Sequence, residues 1–479
     1  MSPKTSGYRT RLALLSLTAA AFVAAGCGSG SLVSTANSSG SSTSTGPAFV
    51  VGTDAPMASV ISFNVQITSI TATPSGGGTP VNLLSGTPTV DFARYNGLQT
   101  LLDMNDVPEG TYSAINITLG TGTIGYLNTG SGAPTISTMA AAYNSNTASV
   151  TLTNPLVVKA SSAPVGIRLD FDLAKSIAVN SSGAITGTVT PTFDITSVHV
   201  GDNGGYIDEF VAGVVSVNTS GQSFVIQGPH GEDFTVSVNG QTEWDGSASL
   251  SGLNTNSIVQ ISGVLDPADE TLDADEVAVL TDSNFYATGQ ITYVTPSSGA
   301  ATSFDLYTRA FEPTSVPLTL GQIAQVNLTG NEKYYVYAMH NPLTNFLFNS
   351  SALVAGQDVA IGGPDSGAVS ETNVSVNRIH LRNWGFNGTI VAGSENANQG
   401  TFKMQVTGFA GQLIPETITV YLGGNSDFRY GLGSFSDLTD GASIRVVGLL
   451  LKNPTNGQVV LWARHIDGFN FQDFSTFAF

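Results

Sequence analysis

The sequence predicts an all-β protein: an N-terminal β-sandwich followed by three small β-barrel-like repeat domains. Three observations carry this expectation. Apolar residues recur with period two, so that Ile61, Phe63, Val65 and Ile67 share one side of a strand while Ser62, Asn64, Gln66 and Thr68 share the other. The alternation returns at Ile115, Ile117 and Leu119, at Ile167, Leu169 and Phe171, and at Phe234, Val236 and Val238. Turn-forming clusters such as Ser75-Gly76-Gly77-Gly78 and Asn180-Ser181-Ser182-Gly183 separate these runs, and the chain holds 54 glycines and 20 prolines. No long helical period occurs after the first segment, although a short helix is expected around residues 97–104.

That first segment has its own logic. Lys4, Arg9 and Arg11 precede an apolar stretch from Leu12 to Val23, and the small residues Ala24, Ala25 and Gly26 then lead to Cys27. This is the basic region, apolar region and cleavage site of a secretory signal over residues 1–26. The apolar stretch is about a dozen residues, whereas a membrane-spanning helix needs about 20. Cys27 is the only cysteine, which removes disulfides and multi-cysteine metal sites from the expectation. Ala24-Ala25-Gly26-Cys27 resembles the lipobox of bacterial lipoproteins, with Ala24 where leucine is commonest. The resemblance implies lipidation of Cys27 and attachment to a membrane of the cell envelope. Gly28 replaces the aspartate of inner-membrane retention, which points to the outer membrane where the cell has one. Residues 27–47 are almost entirely Ser, Gly, Thr, Ala and Asn, too poor in apolar groups to offset the entropy of ordering, and are expected to form a flexible tether.

Residues 48–200 are expected to form the sandwich. Beyond it an internal repeat is visible in the glycines. Gly213, Gly289 and Gly388 each lie inside an opening strand, and Phe224, Phe304 and Phe402 mark a second one. Leu253, Leu353 and Leu438 are followed ten residues on by Gly263, Gly363 and Gly448. Between them fall the apolar pairs Val259 and Ile261, Val359 and Ile361, and Ile444 and Val446. These set repeats at 207–282, 285–382 and 385–468, arranged as an elongated string. The aromatic tail 469–479, with Phe469, Phe471, Phe474, Phe477 and Phe479, is expected to pack on the last domain rather than to close a membrane barrel.

These residues carry two family resemblances. Thr53-Asp54-Ala55-Pro56, Val90-Asp91-Phe92, Val107-Pro108-Glu109-Gly110-Thr111-Tyr112, Gly166-Ile167-Arg168, Leu169-Asp170-Phe171-Asp172 and Ala174-Lys175-Ser176-Ile177 make residues 48–200 similar to the lipoprotein domain-of-unknown-function family 4382. The three repeats resemble domain-of-unknown-function family 5666. Neither family implies an activity.

The formal net charge is −19, and removing residues 1–26 with their three cations and no anions makes it −22. Such acidity disfavours nucleic acid and anionic headgroups and leaves cations, neutral glycans or other proteins as partners. Asp170 and Asp172, two apart in a strand, together with Asp54, form the best metal candidate, a hard-cation site of the kind calcium takes. The alternative is that Asp54 ends a strand in an Asx-type turn, while Asp170 and Asp172 face solvent or pair with Arg168. Gly120-Thr121-Gly122-Thr123-Ile124-Gly125 spells a dinucleotide fingerprint, but residues 126–132 are turn-rich instead of helical, so a glycine-rich hairpin loop is expected. Asp266, Asp269, Glu270, Asp273, Asp275 and Glu276 read as a solvated hairpin. His199, His230, His340, His380 and His465 show no zinc spacing, and no G-x-S-x-G elbow is present. Trp244, Trp384 and Trp462 fall one to a repeat, fit either for burial or for stacking on sugars.

The expectation for function is therefore a non-enzymatic surface lipoprotein serving adhesion, envelope structure or ligand capture. Its alternatives are a carboxylate-dependent, carbohydrate-active hydrolase using Asp54, Asp170 and Asp172, and a calcium-stabilised scaffold.

Overall fold

The structure, a computed structural model, describes residues 44–468 apart from 56–59, 129–132, 161, 182–183, 201–204, 228–232, 245–247, 270, 282–284, 313–314, 337–345, 364–368, 408–412, 414 and 430. The signal segment, Cys27, most of the tether, the aromatic tail and the side chain of Asp54 lie outside the described residues. Residues 44–468 are nearly all β, as the alternating sequence requires.

The first strand, Thr45–Ala55, begins inside the segment read as tether. Its Ala48-Phe49-Val50-Val51 run does not alternate, because both of its faces are covered. It pairs in parallel with Val165–Asp172 and antiparallel with Thr100–Pro108. Ala48 and Val50 join the core between this four-stranded sheet and a second sheet built on the long strands Val60–Pro74 and Gly110–Asn128. Phe49 and Val51, on the other face, pack with Leu101 against the apolar interior of the next unit. The helix expected at residues 97–104 is not formed: Thr100–Pro108 is a strand, preceded by a 3-10 turn over Phe92–Tyr95. Leu101 and Leu102 bury on opposite faces, which a strand allows and a helix does not, so tertiary burial overrides local propensity.

Three further sheets share one strand order. In the first barrel the strands Tyr206–Asn218, Ser223–Gln227, Asp233–Ser237, Ile258–Asp266 and Thr271–Thr281 run 3-2-1-4-5, and a parallel pairing of the third with the fifth closes the ring. In the third barrel, Trp384–Ile390, Thr401–Thr407, Thr417–Arg429, Ser443–Lys452 and Val459–Gly468 close identically. The second sheet has the same order, with its fifth strand divided into Val374–Ser375 and Arg378–Arg382 and an added strand Lys333–Val336 beside it.

Each fourth strand is preceded by a 3-10 turn, Leu250–Gly252, Ser350–Ala352 or Phe435–Asp437, which ends on Leu253, Leu353 or Leu438. Each of these leucines is buried in the core of its own sheet. The glycine ten residues on has a steric reason. A Cβ on Gly263 would stand 2.2 Å from the Asp273 carbonyl oxygen, and one on Gly448 would stand 1.9 Å from that of Trp462.

The elongated string is overturned: from Thr45 on, the chain forms one compact unit. Leu449, Leu451 and Val460 of the third barrel enter the apolar core of the second sheet. Tyr307 of the second sheet packs on Ile61 and Leu127 of the sandwich, and Leu280 of the first barrel on Tyr286 and Ala360 of the second sheet. The outer faces of the strands, which alternation reads as solvent-facing, therefore meet one another.

Candidate functional site

Where the outer faces meet, the polar half of the alternation becomes a buried ionic junction. Its central acid comes from a β-bulge. In the first barrel Ile207 pairs with Gly263 and Phe210 with Ile261, so Asp208 and Glu209 together oppose Ser262 alone. The extra residue re-aims the chain, and both acidic side chains become buried. Glu209 has φ 51, a left-handed conformation uncommon for a residue with a Cβ, and its N–H donates to Ser262 Oγ at 2.9 Å.

The Glu209 carboxylate accepts from Arg94 of the sandwich, pairs with Arg382 Nη2 of the second sheet at 3.2 Å, and accepts the Asn383 backbone N–H at 2.7 Å. Asp358, wholly buried, lies 3.2 Å from Arg382 Nη1, 3.6 Å from Arg94 Nη2 and 3.9 Å from Arg309 Nε. Arg309 also bonds Asp91 and donates to the Ile61 carbonyl at 2.7 Å, tying the second sheet to the sandwich. Three guanidiniums thus face three carboxylates, with burial pushing the Asp358 carboxyl up against the pull of Arg94, Arg382 and Arg309. Two of the cations lie over the Trp384 ring, Arg94 Cζ 5.3 Å and Arg309 Cζ 4.9 Å from its centroid. Asn96 Nδ2 donates to the Gly385 carbonyl at 2.7 Å, and a Cβ at Gly385 would fall 1.8 Å from the Asn96 carbonyl oxygen.

A second set continues from the first. Arg464 of the third barrel lies 3.5 Å from Glu276 and 3.8 Å from Asp208, and donates to the Tyr206 hydroxyl. Asp208 accepts the Gln99 backbone N–H at 3.0 Å. Burial pushes Glu276 up to about 7 and Asp467 up to about 6, in each case against nearby arginines. Burial, and then Arg429 and Arg464, hold the His465 imidazole well below its ordinary value and therefore neutral at pH 7.

Seven of the eight arginines after Cys27, Arg94, Arg168, Arg309, Arg382, Arg429, Arg445 and Arg464, belong to this junction. None of the eight is exposed, and none of the five lysines after Cys27 is buried. The division follows from chemistry: a guanidinium is weakly hydrated and offers a planar fork of donors, whereas an ammonium holds its water. Chemically the arrangement is a lock, since removing one partner leaves another charge buried and uncompensated.

The residues singled out by sequence are placed elsewhere or differently. Asp54 is level with Phe171 in the parallel register, out of step with Asp170 and Asp172. Asp170 stands opposite Asp194, its carboxyl raised by burial against Arg445 and Arg168. Asp172 caps the four-residue helix Leu173–Ser176, accepting from Lys175 N at 2.9 Å and pairing with Lys175 Nζ at 3.2 Å. The Asp54 side chain is outside the described residues, and the pairing of Asp172 is with Lys175. Gly120–Gly125 lies within the strand Gly110–Asn128 and not in a hairpin loop. There a Cβ would strike Gln66 from Gly120, Tyr143 from Gly122 and Ser62 from Gly125. The acidic run does flank a turn, but Glu276 points inward to Arg464. Trp384 is wholly buried, and Trp244 and Trp462 are half-buried. His199 is exposed and His380 buried, while His230 and His340 fall outside the described residues.

Sequence reasoning missed Arg94, Glu209, Arg309, Asp358, Arg382 and Arg464. A signal was present: residues 176–308, which include the whole first barrel, contain no lysine or arginine.

Comparison with known families places two of the four units. Residues 47–186 match the family described as Domain of unknown function (DUF4382), and residues 212–278 match Domain of unknown function (DUF5666). No curated protein matches the chain.

Proposed function

We propose that this chain is an exported bacterial lipoprotein, held to a membrane of the cell envelope by a lipid on Cys27 and acting without catalysis as a structural, adhesive or ligand-binding body. The observation that carries the reading is the position of the sole cysteine, directly after Ala24-Ala25-Gly26 and the apolar stretch Leu12 to Val23. In this reading the lipid supplies the attachment; among the described residues no helix is long and apolar enough to cross a membrane. The sheets 206–281, 285–382 and 384–468 are three copies of one DUF5666-like module. Their common strand order, the 3-10 turn before each fourth strand and the leucine that ends it support that reading. Locking these modules and the sandwich by internal ion pairs keeps their outward surfaces at fixed separations, which suits a body that presents itself to a glycan or protein. With its arginines drawn inward, the chain leaves an acidic exterior that repels nucleic acid.

The test is the mass of the membrane-extracted protein beside that of a Cys27→Ser variant from the same cells. The expected result is a diacyl or triacyl increment on Cys27 that is lost in the variant, with the variant released in soluble form. An unmodified thiol on a freely soluble chain contradicts the proposal.

A further inference from the structure

The contacts of the junction join residues far apart in the chain. Arg94 reaches Glu209 across 115 positions, Asn383 reaches Glu209 across 174, Arg309 reaches Asp91 across 218, and Asn96 reaches Gly385 across 289. The first barrel is the extreme case, because it buries Asp208, Glu209 and Glu276 and has no lysine or arginine of its own. The cations facing those acids are supplied from outside it: Arg94 by the sandwich, Arg382 by the second sheet, Arg429 and Arg464 by the third barrel. Glu209 also holds a left-handed backbone that persists only where the surroundings over-determine it. A buried carboxylate without its counter-charge is strongly unfavourable.

We infer that the junction is an assembly device: the first barrel completes its fold only against the other three units, and residues 45–468 become native in one cooperative step that requires the final strand, Val459–Gly468. Before that strand is in place the first barrel has acids but no Arg464 to face them. An ordinary string of barrels would let each unit fold as its own residues emerged. Here the earliest barrel depends on the latest arginine, so the native state is reached by the whole chain or not at all.

Hydrogen exchange read by mass spectrometry on the chain from residue 27 to 479, in rising denaturant, tests this. The expected result is one common midpoint for the protected amides of all four units. A first barrel that keeps or loses protection at a midpoint of its own overturns the inference. The variants Arg464→Met and Arg382→Met sharpen the reading, since neither residue lies in the first barrel. Each is expected to speed exchange in the strands Tyr206–Asn218 and Ile258–Asp266 by about tenfold or more, to the same extent as in its own unit. Faster exchange confined to the unit carrying the substitution overturns the inference. Lys403→Gln, at an exposed position of the third barrel, is expected to change neither. A variant that fails to fold leaves the midpoints of the unsubstituted chain to decide.

Discussion

The interior of the third barrel and the junction outside it are both buried and are held by different physics. Inside, Phe386, Phe402, Met404, Val420, Leu438 and Leu461 pack as an apolar core whose stabilisation grows with buried area and needs no partner of opposite sign. Outside, Arg445, His465 and Asp467 are as thoroughly buried, yet each depends on charges and dipoles supplied by other strands. Apolar packing builds each module. Ionic complementarity decides how the modules are joined, because it is satisfied only in one arrangement and is strongly unfavourable in others.

The largest break in this comparison is expected from Asp358→Ala. It leaves Arg94, Arg309 and Arg382 around an empty position and is expected to lower stability by about 3–5 kcal/mol, read from denaturant midpoints. Leu438→Ala in the third barrel is expected to lower stability by about 2–5 kcal/mol through a cavity. The two differ in kind: Asp358→Asn, nearly isosteric, is expected to keep much of the loss, whereas Leu438→Met is expected to keep little of it.

A smaller effect separates the two regions by pH. Glu276 holds its proton up to about pH 7 in the folded protein, where an unfolded glutamate releases it near its ordinary value. The folded state therefore binds the proton more tightly. The stability this contributes is complete at low pH and is lost as the pH rises toward and through about 7, on the order of 3 kcal/mol in all. His465 acts in the opposite sense. Held neutral when folded, it contributes stability above its ordinary value that is lost as the pH falls below about 6.5 and the unfolded imidazole takes a proton. Denaturation of the parent and of Glu276→Gln at several pH values between 5 and 8 separates these. The difference between the two chains is expected to change with pH in the direction that disfavours the parent at the alkaline end. A difference independent of pH contradicts the assignment of the raised group to Glu276.

The contrast also explains what could be read from the sequence. Ile61, Phe63, Val65 and Ile67 announce a strand because a one-sided core imposes period two, and Leu253, Leu353 and Leu438 announce modules because each plugs the same place in the same sheet. The junction is illegible for the complementary reason. Ser262, Asp358 and Arg382 occupy the polar half of the alternation, where an isolated module would face water, and nothing local tells a solvated outer face from one covered by a neighbour. The helix expected near residue 97 fails similarly, because two adjacent leucines at 101 and 102 serve two different cores. Asp170 and Asp172 are neighbours on a strand, as their spacing indicates, but Lys175, one helical turn on, claims Asp172.

The most direct test of the claim that opposite charges join the units is a double-mutant cycle on Asp91 of the sandwich and Arg309 of the second sheet, using Asp91→Leu, Arg309→Met and the pair. The expected outcome is a coupling of about 1–3 kcal/mol, the pair being less destabilised than the sum of the singles because neither charge is left buried alone. Losses that add to within about 0.5 kcal/mol would contradict the claim and leave apolar contacts such as Tyr307 on Ile61 and Leu127 as what holds these two units together.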